Sequence, residues 1–458
     1  MILRPSFLIF QFVSAALSYH AMNYQTAASE PMPPLSPSMN STLLPSVVRF
    51  PDITASLSLD DSADTFEPSI PSLEKPMSLR RCASEKYTIR SKADLNQILG
   101  CEDIEGDIEI SLFDEAILRL DDLIYIDGSL EVKDSSALVR IELPKLQKIT
   151  GEFSLYELTS LGYLQASKLN LVSKIQWRVL PILSTVDMAF EKLKKLTSIL
   201  ISDTSLSYII GVSSPEMSTM NINNNRFLES LSAEVEEVTD MLHIGANGDH
   251  MNIDLPSLRR TQNLSIHNVE QLELGELKEC KGSMSLDKNK FESVQLSKLT
   301  KVGGTLSLND NMNLKNVQVD ELDMVDGGLV LANNTHLHNI DFFESLSVIG
   351  GALELVGPIK EVKMPSLRLV RGSAKVKSSD EKFSCSTWAK SSIIAVVRGG
   401  KNECVNSQSQ NYVASTPTNP ESKSTPSEKK MQQESSASRI ANYVATIVAS
   451  MMALVIGI

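Results

Sequence analysis

The side chains that could do chemistry in this chain are six histidines, five cysteines and a large population of carboxylates. His336 and His338 stand two apart and would share one face of a strand, as a pair of metal ligands does. No third ligand follows at a suitable spacing. His20, His243, His250 and His267 are scattered, so all six read as ordinary polar surface. Neighbouring cysteines are never two to four residues apart, which removes the zinc-finger and zinc-ribbon patterns. Cys82 and Cys101 are nineteen apart, and so are Cys385 and Cys404. In an oxidising compartment the economical pairing is Cys82 with Cys101 and Cys385 with Cys404, leaving Cys280 over. Each loop closed in this way adds ~3 kcal/mol on the chain-entropy estimate.

The carboxylates are abundant but unmarked. Glycoside hydrolysis needs two of them about 5–10 Å apart across a sugar-sized cleft, and no motif singles out such a pair. The formal charge of −13 argues against nucleic acid, which requires clustered Lys and Arg. Asparagines recur as Asn223-Asn224-Asn225, as Asn309 with Asn311, and as Asn333-Asn334. They could bind sugar, but capping of stacked turns is the stronger reading, because asparagine tolerates the left-handed turn conformation. Sequons for N-glycosylation stand at Asn40, Asn263 and Asn333. Chance alone supplies that many at this content of Asn, Ser and Thr, so their number says nothing about secretion. The chain is expected to have no catalytic residues, no metal site and no cofactor.

The termini carry addresses. Residues 1–18 begin with one cation, Arg4, and continue with the apolar run Phe7 to Leu17. Small residues Ala16 and Ser18 precede a cleavage point before Tyr19, the layout of a secretory signal peptide. At the other end, Tyr443 to Ile458 is apolar and uncharged, with nothing basic after it. At 1.5 Å per residue it reaches roughly 24 Å, short of a ~30 Å hydrocarbon core. Upstream stand Ser435, Ser436 and Ala437, so residues 439–458 read as the tail of a GPI-attachment signal with Ser435 or Ser436 as acceptor.

These side chains need a scaffold, and the chain between the termini divides by composition. Residues 19–81 hold nine of the nineteen prolines, with Ser and Thr between them and no period, and read as a disordered arm. Residues 407–438 hold twelve Ser or Thr and read as an O-glycosylated stalk. Between them, residues 82–406 repeat one phrase, a glycine followed by an apolar–polar–apolar triplet. It appears as Gly106-Asp-Ile108-Glu-Ile110, Gly128-Ser-Leu130-Glu-Val132, Gly304-Thr-Leu306-Ser-Leu308 and Gly351-Ala-Leu353-Glu-Leu355. Successive glycines within a block are 21 to 24 residues apart. A period of this size is a repeat architecture. The triplet is a short strand with one face inward, and the glycine supplies a tight corner. Phrases such as Leu143-Pro144-Lys-Leu146 and Leu255-Pro256-Ser-Leu258 mark strand ends between copies. Stacked in register, about thirteen such rungs build an all-β parallel solenoid with a continuous Leu/Ile core. Residues 157–215 fit the phrase poorly. A leucine-rich-repeat horseshoe is the alternative, but Val317-Gln-Val319-Asp-Glu-Leu322 alternates with period two where a crossing helix would show 3.6.

Residues 82–110 run Cys82, Ile89, Asp94-Leu95, Leu99, Cys101, Ile104, Gly106, Ile108 and Ile110. This resembles the opening of the receptor L-domain, the β-solenoid module of growth-factor receptor ectodomains. Signal peptide, L-domain-like repeats, Phe383-Ser-Cys385, Ser-rich stalk and apolar tail in this order resemble the fungal GPI-anchored cell-wall organisation glycoproteins. The long arm is similar to that of their sporulation-specific branch. The resemblance implies a non-catalytic surface glycoprotein that supports cell-wall or spore-wall organisation. It implies as partners wall polysaccharide (β-glucan or chitosan), other wall proteins, and the membrane through a GPI lipid. A surface ligand-binding module of the L-domain type is the first alternative, and a β-helix carbohydrate-active enzyme the second.

Overall fold

A computed structural model describes residues 80–408 and 411–414. The signal peptide, almost all of the arm, Asn40, Ser435, Ser436 and the apolar tail lie outside the described residues. The rest is a parallel β-solenoid of about fourteen coils. One coil shows the plan. Tyr125–Asp127 and Leu130–Lys133 form the first side, Arg140–Glu142 the second, and the chain then returns to Lys148–Tyr156 one coil further on. Strands of the first side join a 22-stranded main sheet, whereas the second side is broken into sheets of four, four, two and two strands.

Register is set by the alternation read from the sequence. Leu130 pairs with Phe153, Phe153 with Ile175, Ile175 with Ile199 and Ile199 with Met220. Further along, Leu306 pairs with Leu329 and Leu329 with Leu353. All of these side chains are fully buried, so apolar residues stack on apolar residues in one continuous core column. A one-residue slip would turn the whole column to solvent, which is why the register holds. The stretch 157–215 joins the same stack despite its poor phrase. Its strands Leu171–Leu180 and Ser198–Thr204 pair along their length, and aromatic rings fill the core beside them. Trp177 meets Phe153 edge-on at 6.0 Å and Phe190 at 6.2 Å.

Gly106 takes the left-handed conformation expected of a tight corner, with φ 125°, but further along the glycine column has a different cause. Gly304, Gly327, Gly351 and Gly372 all have ordinary φ values. A Cβ on Gly327 would lie 2.5 Å from the backbone carbon of Gly304, and one on Gly372 would lie 2.6 Å from that of Gly351. Consecutive coils pass too closely at this bend for any side chain. The left-handed corners fall instead at the far end of the main-sheet strand, on non-glycine residues from Leu112 to Asn333, including Asp134, Val179, Asn224, Asn268 and Asp310.

The ends of the stack are closed differently. Cys82 in the first strand is bonded to Cys101, with Cα atoms 5.8 Å apart. Cys385, which opens a short helix Cys385–Trp388, is bonded to Cys404 in the strand Asn402–Val405, with Cα atoms 5.6 Å apart. The strand Asn411–Ala414 then pairs antiparallel with Asn402–Val405. That pairing ends the parallel series and places a strand inside the stretch read as stalk. At the other end, Arg81 of the stretch read as arm already belongs to the first strand.

Candidate functional site

Asparagines follow five of the eleven left-handed non-glycine corners among the described residues, and Asn224, Asn268 and Asn333 stand at corners themselves. Asn225, Asn247, Asn289, Asn311 and Asn334 are buried. Each side-chain amide donates to a carbonyl of the preceding coil: Asn289 to Ile266 at 3.0 Å, Asn311 to Leu286 at 2.8 Å, Asn334 to Leu308 at 2.8 Å. Each Oδ1 accepts a backbone N–H of that coil, as Asn334 Oδ1 does from Asn311 at 3.0 Å. The ladder therefore satisfies the backbone groups that the corner takes out of the sheet, and it leaves no amide for sugar. Ser135 does the same work with its hydroxyl, accepting from the Phe113 N–H at 2.9 Å. Sequence reading saw Asn225, Asn311 and Asn334 but not Asn247, Asn289 or Ser135, which nothing in their context distinguishes.

On the outward side of the main sheet a second polar column runs from coil to coil. Ser265 Oγ lies 2.7 Å from His267 Nε2, and His267 Nδ1 lies 3.1 Å from the Asp287 carbonyl. A hydroxyl beside an oriented imidazole is the start of a nucleophile–base pair. The rest of that chemistry is missing here. Strand Arg260–His267 is paired with a neighbour on each side, so its N–H groups are consumed by the ladder, and none is aimed at a developing oxyanion. The Asp287 carboxylate is engaged elsewhere, accepting from Ser307 Oγ at 2.8 Å and from the Asn309 N–H at 2.9 Å. His243 stacks one coil away, its ring 5.9 Å from that of His267. Burial, and secondarily His267, push the His243 pKa below the ordinary imidazole value.

His336 and His338 do not form a metal site. His336 Nδ1 lies 2.5 Å from the Met312 carbonyl and His338 Nδ1 lies 2.9 Å from that of Pro358. Among the described residues no group of three or more His, Cys, Asp or Glu could hold a metal ion. Cys280 is free and buried in the strand Glu279–Cys280. Burial pushes its thiol up to about 11. Asn263 and Asn333 are exposed. Asn263 Nδ2 donates to the Asp240 carbonyl at 3.3 Å, and Asn333 Nδ2 to Asp310 Oδ1 at 3.0 Å.

The second side offers a cleft. Strands Val269–Glu273 and Ser293–Gln295 belong to different sheets, with no ladder between them. Where the ladder is interrupted, a cavity of about 450 Å³ opens, lined by the charged side chains Glu270, Glu273, Lys290 and Glu292 together with neutral polar residues such as Gln271 and Gln295. Sequence reading had no signal for it, because the break changes pairing and not the apolar–polar alternation.

A disulfide-closed parallel β-solenoid defines a repeat scaffold. No family model matches the chain. Curated relatives do. The chain is 36% identical over 333 residues to sporulation-specific protein 22 of Saccharomyces cerevisiae, covering 72% of each. It is 31% identical over 349 residues to the cell surface GPI-anchored protein ECM33 of Candida albicans, covering 76% of this chain and 82% of the relative. A cell surface GPI-anchored protein of Arthroderma benhamiae is 30% identical over 319 residues, covering 69% and 81%. This chain belongs to the family of fungal GPI-anchored cell-wall organisation glycoproteins that includes the sporulation-specific proteins.

Proposed function

We propose that this chain is a non-catalytic glycoprotein of the fungal cell surface that supports organisation of the wall, in particular the spore wall. The observation that carries this is the identity over 333 residues, 72% of the chain, to a sporulation-specific relative. Identity of 36% there, against 30–31% for the surface proteins of the other two fungi, supports the spore wall over the vegetative one. In this reading residues 1–18 direct secretion, 19–80 are an arm, 81–414 the solenoid with its closing antiparallel strand, 415–438 the stalk and 439–458 the signal replaced by a GPI lipid at Ser435 or Ser436. The exposure of Asn263 and Asn333 supports glycan attachment at both, and Asn40 is the third acceptor. The partners are wall polysaccharide, β-glucan or chitosan, or other wall proteins. A solenoid suits this role because its rigid side repeats a binding surface along its axis.

Deletion of the gene, scored in growing cells and in spores, tests the proposal. Spores with a disorganised wall and normal vegetative growth are expected. Normal spores would refute the role in the spore wall. Purified protein that hydrolysed any member of a β-glucan panel would refute the non-catalytic reading.

A further inference from the structure

Opposite charges are sorted into two adjoining blocks where the chain returns from the second side to the main sheet. On three successive returns, residues 144–150, 167–174 and 191–198, stand seven exposed lysines and one carboxylate, Glu191. Lys145, Lys168 and Lys195 hold the same place in each, just before the leucine whose N–H closes the turn. Leu146 closes onto Leu143, Leu169 onto Ala166 and Leu196 onto Leu193. Of the seven lysines only Lys145 is in an ion pair among the described residues, with Asp122 at 3.4 Å. The next two returns, residues 213–219 and 234–240, carry five carboxylates and no cation. Glu216 and Glu237 are direct partners in the parallel ladder. Glu236 and Glu237 reach Arg259 and Arg260 of the following coil at 3.3 and 2.6 Å. Glu234 accepts from Ser257 Oγ at 2.6 Å, and neither it nor Glu216 has a cation partner among the described residues.

Coils repeat at ~4.8 Å, and like charges facing each other on neighbouring strands are destabilising. Elsewhere on the same returns the sign alternates, as in the ion pair of Lys298 with Glu276. The two unbroken blocks therefore carry a cost that a complementary partner would remove. We propose that this partner is a second copy of the chain, paired antiparallel so that the lysine block of each copy faces the carboxylate block of the other. Because the blocks adjoin on one side, a two-fold axis through their border and perpendicular to the solenoid axis makes the match twice. A polyanion from outside would neutralise the lysines alone and leave Glu216 and Glu234 unmatched, whereas a second copy answers both blocks. The pairing does not depend on the wall-polymer reading above.

The test is sedimentation equilibrium of the purified secreted protein at low and high salt. A monomer–dimer equilibrium is expected that weakens about tenfold or more as salt screens the blocks. Lys168→Glu/Lys195→Glu and Glu216→Lys/Glu234→Lys should each be monomeric where the parent is dimeric, because the altered block meets its own sign in the second copy. An equimolar mixture of the two variants should dimerise again, since each altered block then faces the other. All four positions are exposed, so melting temperatures at or above that of the parent are expected and show that the fold is intact. A parent that stays monomeric in low salt would overturn the proposal, and so would a dimer that survives both charge reversals. Loss in both variants without recovery in the mixture would overturn the antiparallel arrangement. Monomeric protein that bound linear polyphosphate, and lost it in Lys168→Glu/Lys195→Glu, would replace the second copy by an external polyanion.

Discussion

Asn311 reaches back one coil so that its Oδ1 accepts the backbone N–H of Asn289 at 2.8 Å. The same residue donates from Nδ2 to the Leu286 carbonyl at 2.8 Å, and its own N–H is taken up by Asn334. Three coils are thereby tied at one fully buried residue, through its side chain on one side and its backbone N–H on the other.

Asn311→Ala removes both side-chain bonds and leaves two buried backbone groups without partners. At about 1–3 kcal/mol for each buried group left unsatisfied, the cost is expected at about 2–6 kcal/mol. Asn313→Ala, two residues away, loses an exposed bond to the Lys290 carbonyl and should cost under about 1 kcal/mol. Chemical denaturation of the two variants measures the difference. Equal tolerance would mean that the ladder does not hold the corner.

Glycine at position 327 is required by space and not by φ. Its missing Cβ would lie 2.5 Å from the Gly304 carbon, which is backbone and cannot rotate away. Gly327→Ala should therefore cost about 1–3 kcal/mol by overpacking, or more if the coils cannot separate. Gly400 has nothing within 4 Å of its Cβ position, so Gly400→Ala should be near neutral. If both variants unfold alike, close approach of the coils is not the reason for the glycine column.

The comparison between sequence and structure divides along the same line. The alternation at Leu306-Ser307-Leu308 was legible because it follows from burial of every second residue, and the two leucines are fully buried while Ser307 is half-buried. Gly304 was visible as a repeat mark, but its cause was not, since a close approach between coils 22 residues apart leaves no local signature. Trp177 and Phe190 hid the middle coils by replacing small aliphatics with rings, which changes the phrase without changing the path. The cleft beside Gln271 lies in an interruption of hydrogen bonding, a property of two strands at once.

Ser307 illustrates how an outward position can still be engaged. Its hydroxyl donates to Asp287 and accepts from Asn309 Nδ2 at 2.6 Å. Ser307→Ala should cost about 1 kcal/mol for the lost bonds, whereas Leu306→Ala or Leu308→Ala should cost about 2–5 kcal/mol through the cavity left behind. Thermal unfolding of the three variants would show this order. A larger loss at position 307 than at 308 would mean that the inward face has been misassigned.

Cys280 supplies a test by reactivity. The thiolate is the nucleophile, and burial holds this thiol at about 11. Native protein treated with iodoacetamide at pH 8 should take up no label, and unfolded, unreduced protein should take up one at Cys280. Rapid labelling of the native form would show that the stack opens at its centre on the timescale of the reaction.

His243 makes stability depend on pH, and the sign follows from its surroundings. Its pKa in the folded protein is lowered, first by burial and then by His267. Below the ordinary histidine value of ~6.5 the unfolded chain binds a proton that the folded chain resists, so stability falls as pH falls through that value and is retained above it. The loss should be seen between pH 7 and pH 5, where carboxylates with ordinary values remain mostly ionised. Asparagine is a suitable replacement because Asn221 occupies the same column one coil earlier. His243→Asn removes the titrating group and should flatten the decline in melting temperature over this window. If the His243 variant declines as steeply as the parent, the acid sensitivity arises elsewhere in the chain.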